Sequence, residues 1–419
     1  MAICAPFARP LYVMLKPAGA RCNLACTYCY YTEKTFLYGN EAGQQLSDEL
    51  LEHFVREYIG SQTMQEILFT WHGGEPLLRP LSFYRKAVTL QQKYAHGRWV
   101  DNCIQTNGTL LNEEWCRFFK ENGWLVGLSI DGPQMFHDAY RRDRRGNPTY
   151  DLVMRGIDCL NKYEVAWNAM AVVNRYNADY PREFYDFFRQ IDCHYIQFSP
   201  VVERFKHSPD GRWLAHVGEG SPDDLAPFSV TPRQWGDFLC AVFDEWVVSD
   251  VGSRFVQIFD ATLANWVGEM PGVCTLSPSC GHAAVMEWNG DVYACDHFVF
   301  PEYKLGNIRT NTLVEMLYGE RQQQFGRSKT ATLPSSCRAC KYLFACHGEC
   351  PKNRFLSSPS GETGLNYLCA GYYRYFDHVA PYMDYMRDEL QAGRAPAGVM
   401  QVVGEIRRRS VAVGESSGS

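Results

Sequence analysis

Short apolar runs alternate with amphipathic helical patterns over the first 250 residues of the chain. The runs are short and mostly apolar, as expected for strands that are covered on both faces. They are residues 11–16, 66–71, 101–106, 124–130, 165–173 and 194–199. The helical patterns that follow them are residues 47–59, 80–94, 112–122, 149–162, 179–191 and 231–248.

Polar residues at several predicted helix starts agree with these boundaries. Ser47, Asn112 and Thr231 are plausible N-caps, and Pro232 follows Thr231 at the first helical position. Six strand-then-helix units imply a parallel sheet with right-handed crossovers, and six are too few to close an eight-stranded barrel. We therefore predict an α/β fold, a partial (β/α)₆ barrel with its chemistry on loops at the carboxyl ends of the strands.

The cysteine content changes along the chain, because residues 274–372 hold eight of the 17 cysteines. This shift predicts a second domain. The predicted divisions are a barrel at 1–250, a bridging region at 251–273, a cysteine-rich domain with C-terminal helices at 274–385, and a tail at 386–419 that is disordered from about residue 403. Residues 203–230, rich in Gly, Pro, Ser and charge, are predicted to be a long loop.

Charge and hydropathy narrow the possible partners. A net charge of −6 offers no basic field for nucleic acid. No apolar stretch is long enough to span a bilayer, and the N-terminus does not have the pattern of a signal peptide. We therefore expect a cytoplasmic protein that binds neither nucleic acid nor membrane. In a reducing compartment, 17 cysteines indicate metal or cluster binding rather than disulfides.

Cys22, Cys26 and Cys29 form a C-x3-C-x2-C motif directly after the first predicted strand. Three thiolates at this spacing can bind one face of an iron–sulfur cubane and leave the fourth iron open to the amino and carboxylate groups of S-adenosylmethionine (SAM). The motif, with Tyr28 beside its last cysteine, resembles that of the radical SAM superfamily. The alternative is a zinc site, although structural zinc normally takes four protein ligands.

Polar and glycine-rich segments follow the next predicted strands, and the same resemblance implies that they bind SAM. The implied SAM-binding residues are Tyr28, Gly73, Gly74, Glu75, Ser129, Arg141 and Val202. The glycine-rich loop would hold the methionine end, Ser129 the ribose, Arg141 the carboxylate and Val202 the adenine. The alternatives are simple turns for the glycines and a solvated charge for Arg141.

The eight C-terminal cysteines are enough for two four-iron clusters. Their arrangement resembles the SPASM domain, which implies one cluster on Cys274, Cys280, Cys295 and Cys350 and another on Cys337, Cys340, Cys346 and Cys369. Cysteine spacing alone would also allow two zinc ribbons. The other cysteines are interpreted as small buried apolar residues, namely Cys4, Cys103, Cys116, Cys159, Cys193 and Cys240.

Sequence motifs from about residue 6 to residue 385 resemble the anaerobic sulfatase-maturating enzymes. They include CNLACTYCYY, FTWHGGEP, VGLSIDGP, GDVYACDHFVF and LFACHGECPKNRF. The resemblance implies oxidation of a sulfatase cysteine or serine to Cα-formylglycine by a SAM-derived 5′-deoxyadenosyl radical. It implies three [4Fe–4S] clusters, Asp296 as the catalytic base, an unfolded or nascent sulfatase polypeptide as substrate, and an electron donor such as flavodoxin or ferredoxin.

Two other functions share these features. A different SPASM-type peptide maturase, which forms thioether or carbon–carbon crosslinks, would use the same clusters. A non-catalytic iron–sulfur electron carrier would use the cysteines without SAM chemistry. Without its context, Asp296 would be read as a capping or surface aspartate.

Overall fold

The computed structural model describes residues 10–31, 34, 37–38, 43–207, 213–218 and 220–416. Its strands are β1 (Val13–Leu15), β2 (Glu66–Trp71), β3 (Trp99–Thr106), β4 (Leu125–Ser129), β5 (Trp167–Val173), β6 (Tyr195–Pro200), β7 (Phe205–His207), β8 (Trp213–Ala215), β9 (Phe255–Val256), β10 (Ala284–Met286), β11 (Asp291–Tyr293), β12 (Lys304–Asn307), β13 (Leu356–Ser357) and β14 (Thr363–Leu365).

The α-helices lie mainly between these strands and after them. They are α1 (Asp48–Gly60), α2 (Leu81–Tyr94), α3 (Glu113–Glu121), α4 (Gln134–Tyr140), α5 (Tyr150–Lys162), α6 (Pro181–Gln190), α7 (Pro232–Ser249), α8 (Gln257–Trp266), α9 (Leu313–Tyr318), α10 (Glu320–Ala331), α11 (Ser335–Arg338), α12 (Leu343–Cys346), α13 (Cys369–Gln391) and α14 (Val399–Ser416).

The main sheet has the strand order β12–β11–β10–β1–β2–β3–β4–β5–β6–β9. Strands β1 to β6 are all parallel, which confirms the predicted partial barrel. Alternate residues of β2, such as Phe69 and Trp71, are buried on its helix-covered side. There Trp71 stacks on Trp124 with ring centroids 6.0 Å apart. This aromatic core holds the strand ends, and therefore the loops that follow them, in fixed positions.

The main sheet continues across the predicted domain boundary. Strand β10 pairs in parallel with β1, with Val13 opposite Ala284 and Leu15 opposite Met286. Strands β11 and β12 extend this edge in antiparallel pairing. The boundary predicted between 250 and 274 therefore does not separate two sheets. Because of this pairing, residues just after β11 lie beside the first barrel strand.

Local capping explains where several helices begin. The side chains of Ser47, Asn112 and Thr231 accept hydrogen bonds from the backbone N–H groups of Leu50, Trp115 and Gln234, at 3.0–3.2 Å. The three predicted caps are thus confirmed. Within the described residues, no helix is long and apolar enough to cross a membrane.

The structure differs from the sequence-based expectation in three segments. Helix α4 precedes α5, and the predicted loop 203–230 contains the short antiparallel pair β7–β8. The expectation of disorder from residue 403 was wrong as far as residue 416, because α14 continues to Ser416. Its Val399, Val403 and Ile406 are buried at helical spacing, and the helix packs on α7 and α13.

Candidate active site

The loop after β1 brings the three motif cysteines together. The Cys29 N–H donates to the Cys26 carbonyl at 3.0 Å, and the Leu24 N–H donates to Cys22 Sγ at 3.4 Å. Burial raises the pKa of the Cys22 thiol to about 12, and the charges of Glu75, Cys26 and Cys29 add to the rise. The three sulfurs therefore share one electrostatic neighbourhood, in which bound iron would favour the thiolate form.

The glycine-rich loop after β2 is fitted closely against this cysteine loop. Gly73 has a φ of 130°, in the region that favours glycine. A Cβ on Gly74 would collide with the carbonyl oxygen of Arg21. Backbone N–H groups of Gly74 and Glu75 donate to the carbonyls of Gly19 and Arg21 at 2.9 and 2.8 Å. The two glycines thus let the loop approach the cysteine loop backbone to backbone.

The carboxylate of Glu75 anchors the glycine-rich loop from within the protein. It is buried and accepts hydrogen bonds from Leu77 N at 2.9 Å, Thr106 Oγ1 at 2.8 Å and Asn107 N at 2.8 Å. Burial raises its pKa to about 7, against these hydrogen bonds. The side chain therefore ties the glycine-rich loop to the end of β3.

Arg141 lies beside the cysteine loop, in an ion pair with Asp131. Its Nε is 3.2 Å from Asp131 Oδ2, and its guanidinium lies 5.8 Å from the ring centroid of Tyr28. The Tyr28 hydroxyl donates to the same Asp131 oxygen. Burial raises the pKa of Cys26 to about 11, and Arg141 opposes that rise. The structure therefore brings Tyr28, Arg141 and Cys26 together, with Asp131 as an anchor that the sequence analysis did not single out.

Ser129 and Val202 lie at the carboxyl ends of β4 and β6. Ser129 Oγ accepts a hydrogen bond from Gln105 Nε2 at 3.0 Å, whereas Val202 is buried in the main core. These positions share the strand-end edge of the sheet with the two loops described above. The predicted SAM-binding residues thus lie on one edge, although Val202 presents little surface.

Asp296 lies between the first barrel strand, β1, and the cysteine-rich region that begins near Cys274. It follows Cys295 and begins a short 3₁₀ turn after β11. Its Oδ1 is 2.5 Å from Lys16 Nζ of the β1 end, and its Oδ2 accepts from the Tyr30 hydroxyl at 2.5 Å. Tyr30 follows Cys29, so Asp296 is linked through one residue to the first cysteine set and is itself adjacent to Cys295.

A buried ammonium keeps Asp296 ionised. Burial alone would raise the pKa of this carboxyl, but Lys16, with smaller contributions from His72 and His297, outweighs burial and holds the pKa well below its usual range. Lys16 Nζ also lies 2.9 Å from His72 Nδ1, which accepts from the Gly73 N–H at 2.8 Å. Burial and Lys16 lower the pKa of His72 to about 3, which favours the neutral form of this imidazole.

Cys350 lies among three other cysteines of the C-terminal region. Burial raises its thiol pKa, and the charges of Glu349, Cys295, Cys274 and Cys280 raise it further. The structure thus groups the four cysteines that the resemblance assigned to one cluster.

The remaining four cysteines form a second group. Burial raises the pKa of Cys346 to about 12, and Cys369 and Cys337 contribute to the rise. Burial raises the pKa of the Cys369 thiol to about 11, and Cys337 and Cys340 contribute to this rise. Cys337 and Cys340 are joined directly, since the Cys340 N–H donates to the Cys337 carbonyl at 3.1 Å.

The number of thiols in each set fits clusters better than single ions. Among the described residues, no three Cys, His, Asp or Glu side chains converge on one metal-ion position. A structural zinc ion needs four ligands within about 2.3 Å of one point, whereas the irons of a cubane are spread apart. The donor sets, three thiols and twice four thiols, match one open and two fully ligated four-iron clusters.

The cysteines outside these sets are spread over the barrel. Cys116, Cys193 and Cys240 are buried, whereas Cys103 and Cys159 are partly exposed. Cys4 lies outside the described residues.

Comparison with known proteins places this site in a family. The family model of the radical SAM superfamily matches residues 17–188, and that of the SPASM iron–sulfur cluster-binding domain matches residues 279–341. A serine-type anaerobic sulfatase-maturating enzyme of Bacteroides thetaiotaomicron is 65% identical over 399 residues, covering 95% of this chain and 96% of that protein. The chain belongs to the anaerobic sulfatase-maturating enzymes.

More distant members of the family agree with this assignment. A cysteine-type anaerobic sulfatase-maturating enzyme of Clostridium perfringens is 30% identical over 375 residues, covering 89% of this chain and 97% of that protein. A solved structure described as native anSMEcpe with bound AdoMet and Kp18Cys peptide has a TM-score of 0.80 and 30% identity, and it covers 91% of this chain and 100% of that chain. The fold and the family therefore agree over nearly the whole chain.

Proposed function

We propose that this chain oxidises a serine of a sulfatase polypeptide to Cα-formylglycine, using SAM and three [4Fe–4S] clusters. The observation that carries the proposal is the placement of Asp296 between Tyr30, which follows Cys29, and Cys295. A carboxylate held ionised at that point can accept a proton next to both cluster sites. The choice of serine rests on the 65% identity to a serine-type enzyme.

The residues divide into binding and acid–base groups. Cys22, Cys26 and Cys29 would hold the SAM-binding cluster. SAM itself would contact the residues Tyr28, Gly73, Gly74, Glu75, Ser129, Arg141 and Val202. The first auxiliary cluster would be bound by Cys274, Cys280, Cys295 and Cys350, and the second by Cys337, Cys340, Cys346 and Cys369. When bound, SAM and its cluster would supply a 5′-deoxyadenosyl radical, and the auxiliary clusters would accept an electron.

The protein's own contribution is positioning and proton transfer. Conversion of serine to the aldehyde removes one hydrogen atom from Cβ, one proton from the hydroxyl and one electron. Asp296 accepts the hydroxyl proton, because Lys16 keeps its carboxyl ionised and Tyr30 holds its Oδ2. Buried surroundings around this pair exclude water and so protect the radical step.

The partners follow from the same chemistry. The substrate serine has to reach a site enclosed by two cluster regions, so an unfolded or nascent sulfatase segment suits it better than a folded domain. Repeated reduction of the first cluster requires an electron donor, for which flavodoxin or ferredoxin is the proposed class. Thiolate-bound clusters persist in a reducing compartment, so we propose a cytoplasmic location.

The test is anaerobic incubation of the reconstituted enzyme with a short peptide that carries the sulfatase motif. We expect loss of the mass of two hydrogen atoms from the serine, and an aldehyde that a hydrazine traps. A matched cysteine peptide measures the residue preference. A crosslinked peptide without aldehyde, or 5′-deoxyadenosine with no peptide product from either substrate, would overturn the proposal.

A further inference from the structure

Lys329 is a buried cation inside the cysteine-rich region. It lies on α10, and its side chain is excluded from solvent. Its Nζ donates to the carbonyl oxygens of Cys274 at 2.7 Å and Thr275 at 2.8 Å. Among the ion pairs of the described residues, none includes Lys329. A buried ammonium without a counter-ion is unfavourable, so a negative group nearby is expected to compensate for it.

The groups that act electrostatically on Lys329 belong mainly to one cysteine set. They are Cys280, Glu349, Cys350 and Cys274, and Lys329 contacts the Cys274 carbonyl directly at 2.7 Å. Glu349 is itself buried, and its Oε2 accepts from the Asn353 and Asn366 amides at 3.2 and 2.6 Å rather than from Lys329. Glu349 is therefore engaged by other donors, and the thiolates of this set, once bound to iron, would supply the remaining counter-charge.

Arg354, the other buried cation of this region, lies between the two cysteine sets. Its guanidinium donates to the carbonyls of Gly348, His347 and Glu349 at 2.7, 2.9 and 3.1 Å, and also to the carbonyl of Lys329. The thiols that act on it come from both sets. Arg354 therefore does not distinguish the two clusters, whereas Lys329 does.

We propose that Lys329 is the counter-charge of the auxiliary cluster held by Cys274, Cys280, Cys295 and Cys350, and that it raises the reduction potential of this cluster above the value the thiolates alone would set. A cluster with four thiolate ligands is anionic and becomes more so when it gains an electron. A fixed positive charge stabilises the reduced state more than the oxidised state.

This placement suits the direction of electron flow. Cys295 is adjacent to Asp296, so the cluster that Lys329 adjusts is the one beside the proposed base. An acceptor made easier to reduce at this point takes the substrate electron as Asp296 takes the proton. Lys329 is thus a positioning and charge-supplying residue rather than a catalytic residue.

The test uses the holoenzyme with three clusters, titrated electrochemically while cluster signals are followed by electron paramagnetic resonance. Lys329→Gln keeps an N–H donor for the two carbonyls but removes the charge. We expect the potential of one auxiliary cluster to become more negative while the other two potentials stay unchanged. Lys329→Arg, which keeps the charge, should return the potential toward that of the wild type.

Two controls make the result specific. Lys93→Gln removes an exposed lysine that pairs with Glu52 on the barrel surface, and it should leave all three potentials unchanged. Loss of the shifted signal in Cys295→Ala identifies the cluster concerned. Three unchanged potentials in Lys329→Gln with full iron content would overturn the role of Lys329, as would an equal shift in Lys329→Arg.

This inference rests on the auxiliary clusters of the proposed function, but the two fail separately. If wild-type protein lacks the iron for the auxiliary clusters, the proposed function fails. If the clusters are present, formylglycine forms, and the potentials do not respond to residue 329, only the role of Lys329 is lost.

Discussion

Two buried aspartates of the site have the same kinds of partner but differ in their remaining capacity to bind. Asp131 contacts Arg141 and the hydroxyl of Tyr28, and its Oδ1 accepts from Val172 N at 2.9 Å. Asp296 contacts Lys16 and the hydroxyl of Tyr30. Each therefore combines a cation with a tyrosine from the cysteine loop.

The two aspartates differ in the hydrogen bonding of their Oδ1 atoms. Both oxygens of Asp131 have well-aligned donors, and its side chain is 0% exposed. Asp296 Oδ1 is close to Lys16 Nζ but has no aligned hydrogen-bond donor, and its side chain is 9% exposed. A carboxylate with aligned donors on both oxygens is suited to orienting its neighbours, whereas one with an oxygen that lacks an aligned donor has more room to accept a proton. This difference supports the proposal that Asp296 is the base, with Asp131 as a positioning residue.

The largest expected effect is that of Asp296→Asn, which removes the proposed base and keeps the shape. Formylglycine production should fall by roughly 10²–10⁴-fold, the range for general base catalysis. Cleavage of SAM to 5′-deoxyadenosine should continue. Chromatography of the nucleoside and mass spectrometry of the peptide measure both quantities in one reaction. Unchanged aldehyde yield would remove Asp296 from the mechanism.

Asp131→Asn should impair SAM binding and protein stability rather than proton transfer. It leaves the buried Arg141 without its counter-ion, which costs about 3–5 kcal/mol when a buried pair is broken. We expect a lower melting temperature, weaker SAM binding, and 5′-deoxyadenosine and formylglycine falling in parallel. A normal rate of SAM cleavage combined with lost aldehyde would contradict the assigned division of roles.

Lys16→Met should reduce formylglycine by up to about 10²-fold, because Asp296 loses its positioning contact. The strongest of the influences that oppose burial is then gone, so the pKa of Asp296 rises. A base with a raised pKa is protonated as the pH falls, so the variant should lose product formation at low pH values where the wild type keeps it. A pH profile of aldehyde formation, with Lys16→Arg as the charged control, checks this expectation. Identical profiles in both variants would show that the charge is not what matters.

Thr231→Ala should have the smallest effect on product formation. Because Thr231 lies away from Asp131 and Asp296, this variant serves as a control for general destabilisation. Thr231 caps α7 through the N–H of Gln234. Its loss should lower the free energy of unfolding by about 1 kcal/mol. The ratio of formylglycine to 5′-deoxyadenosine should not change. A changed ratio would mean that general destabilisation, and not the local chemistry, alters coupling in the other variants.

Much of the barrel could be predicted from local pattern. Strand β2 has the predicted bounds, α1 is shifted by one residue at each end, and α5 begins one residue later than predicted. Helix α4 was missed because its seven residues are too short for a clear period. The tail was misjudged because the apolar face of α14 is recognisable only when α7 and α13 are there to cover it.

The sequence by itself determined which segments form strands and helices, where three helices begin, and which cysteines share the first loop, since these depend on neighbours along the chain. Only the tertiary structure decided that Lys16 lies against Asp296, that Tyr30 reaches Asp296 across 266 residues, and that Lys329 is enclosed near one cysteine set. The physical reason is the parallel pairing of β10 with β1, a long-range contact that no local periodicity encodes.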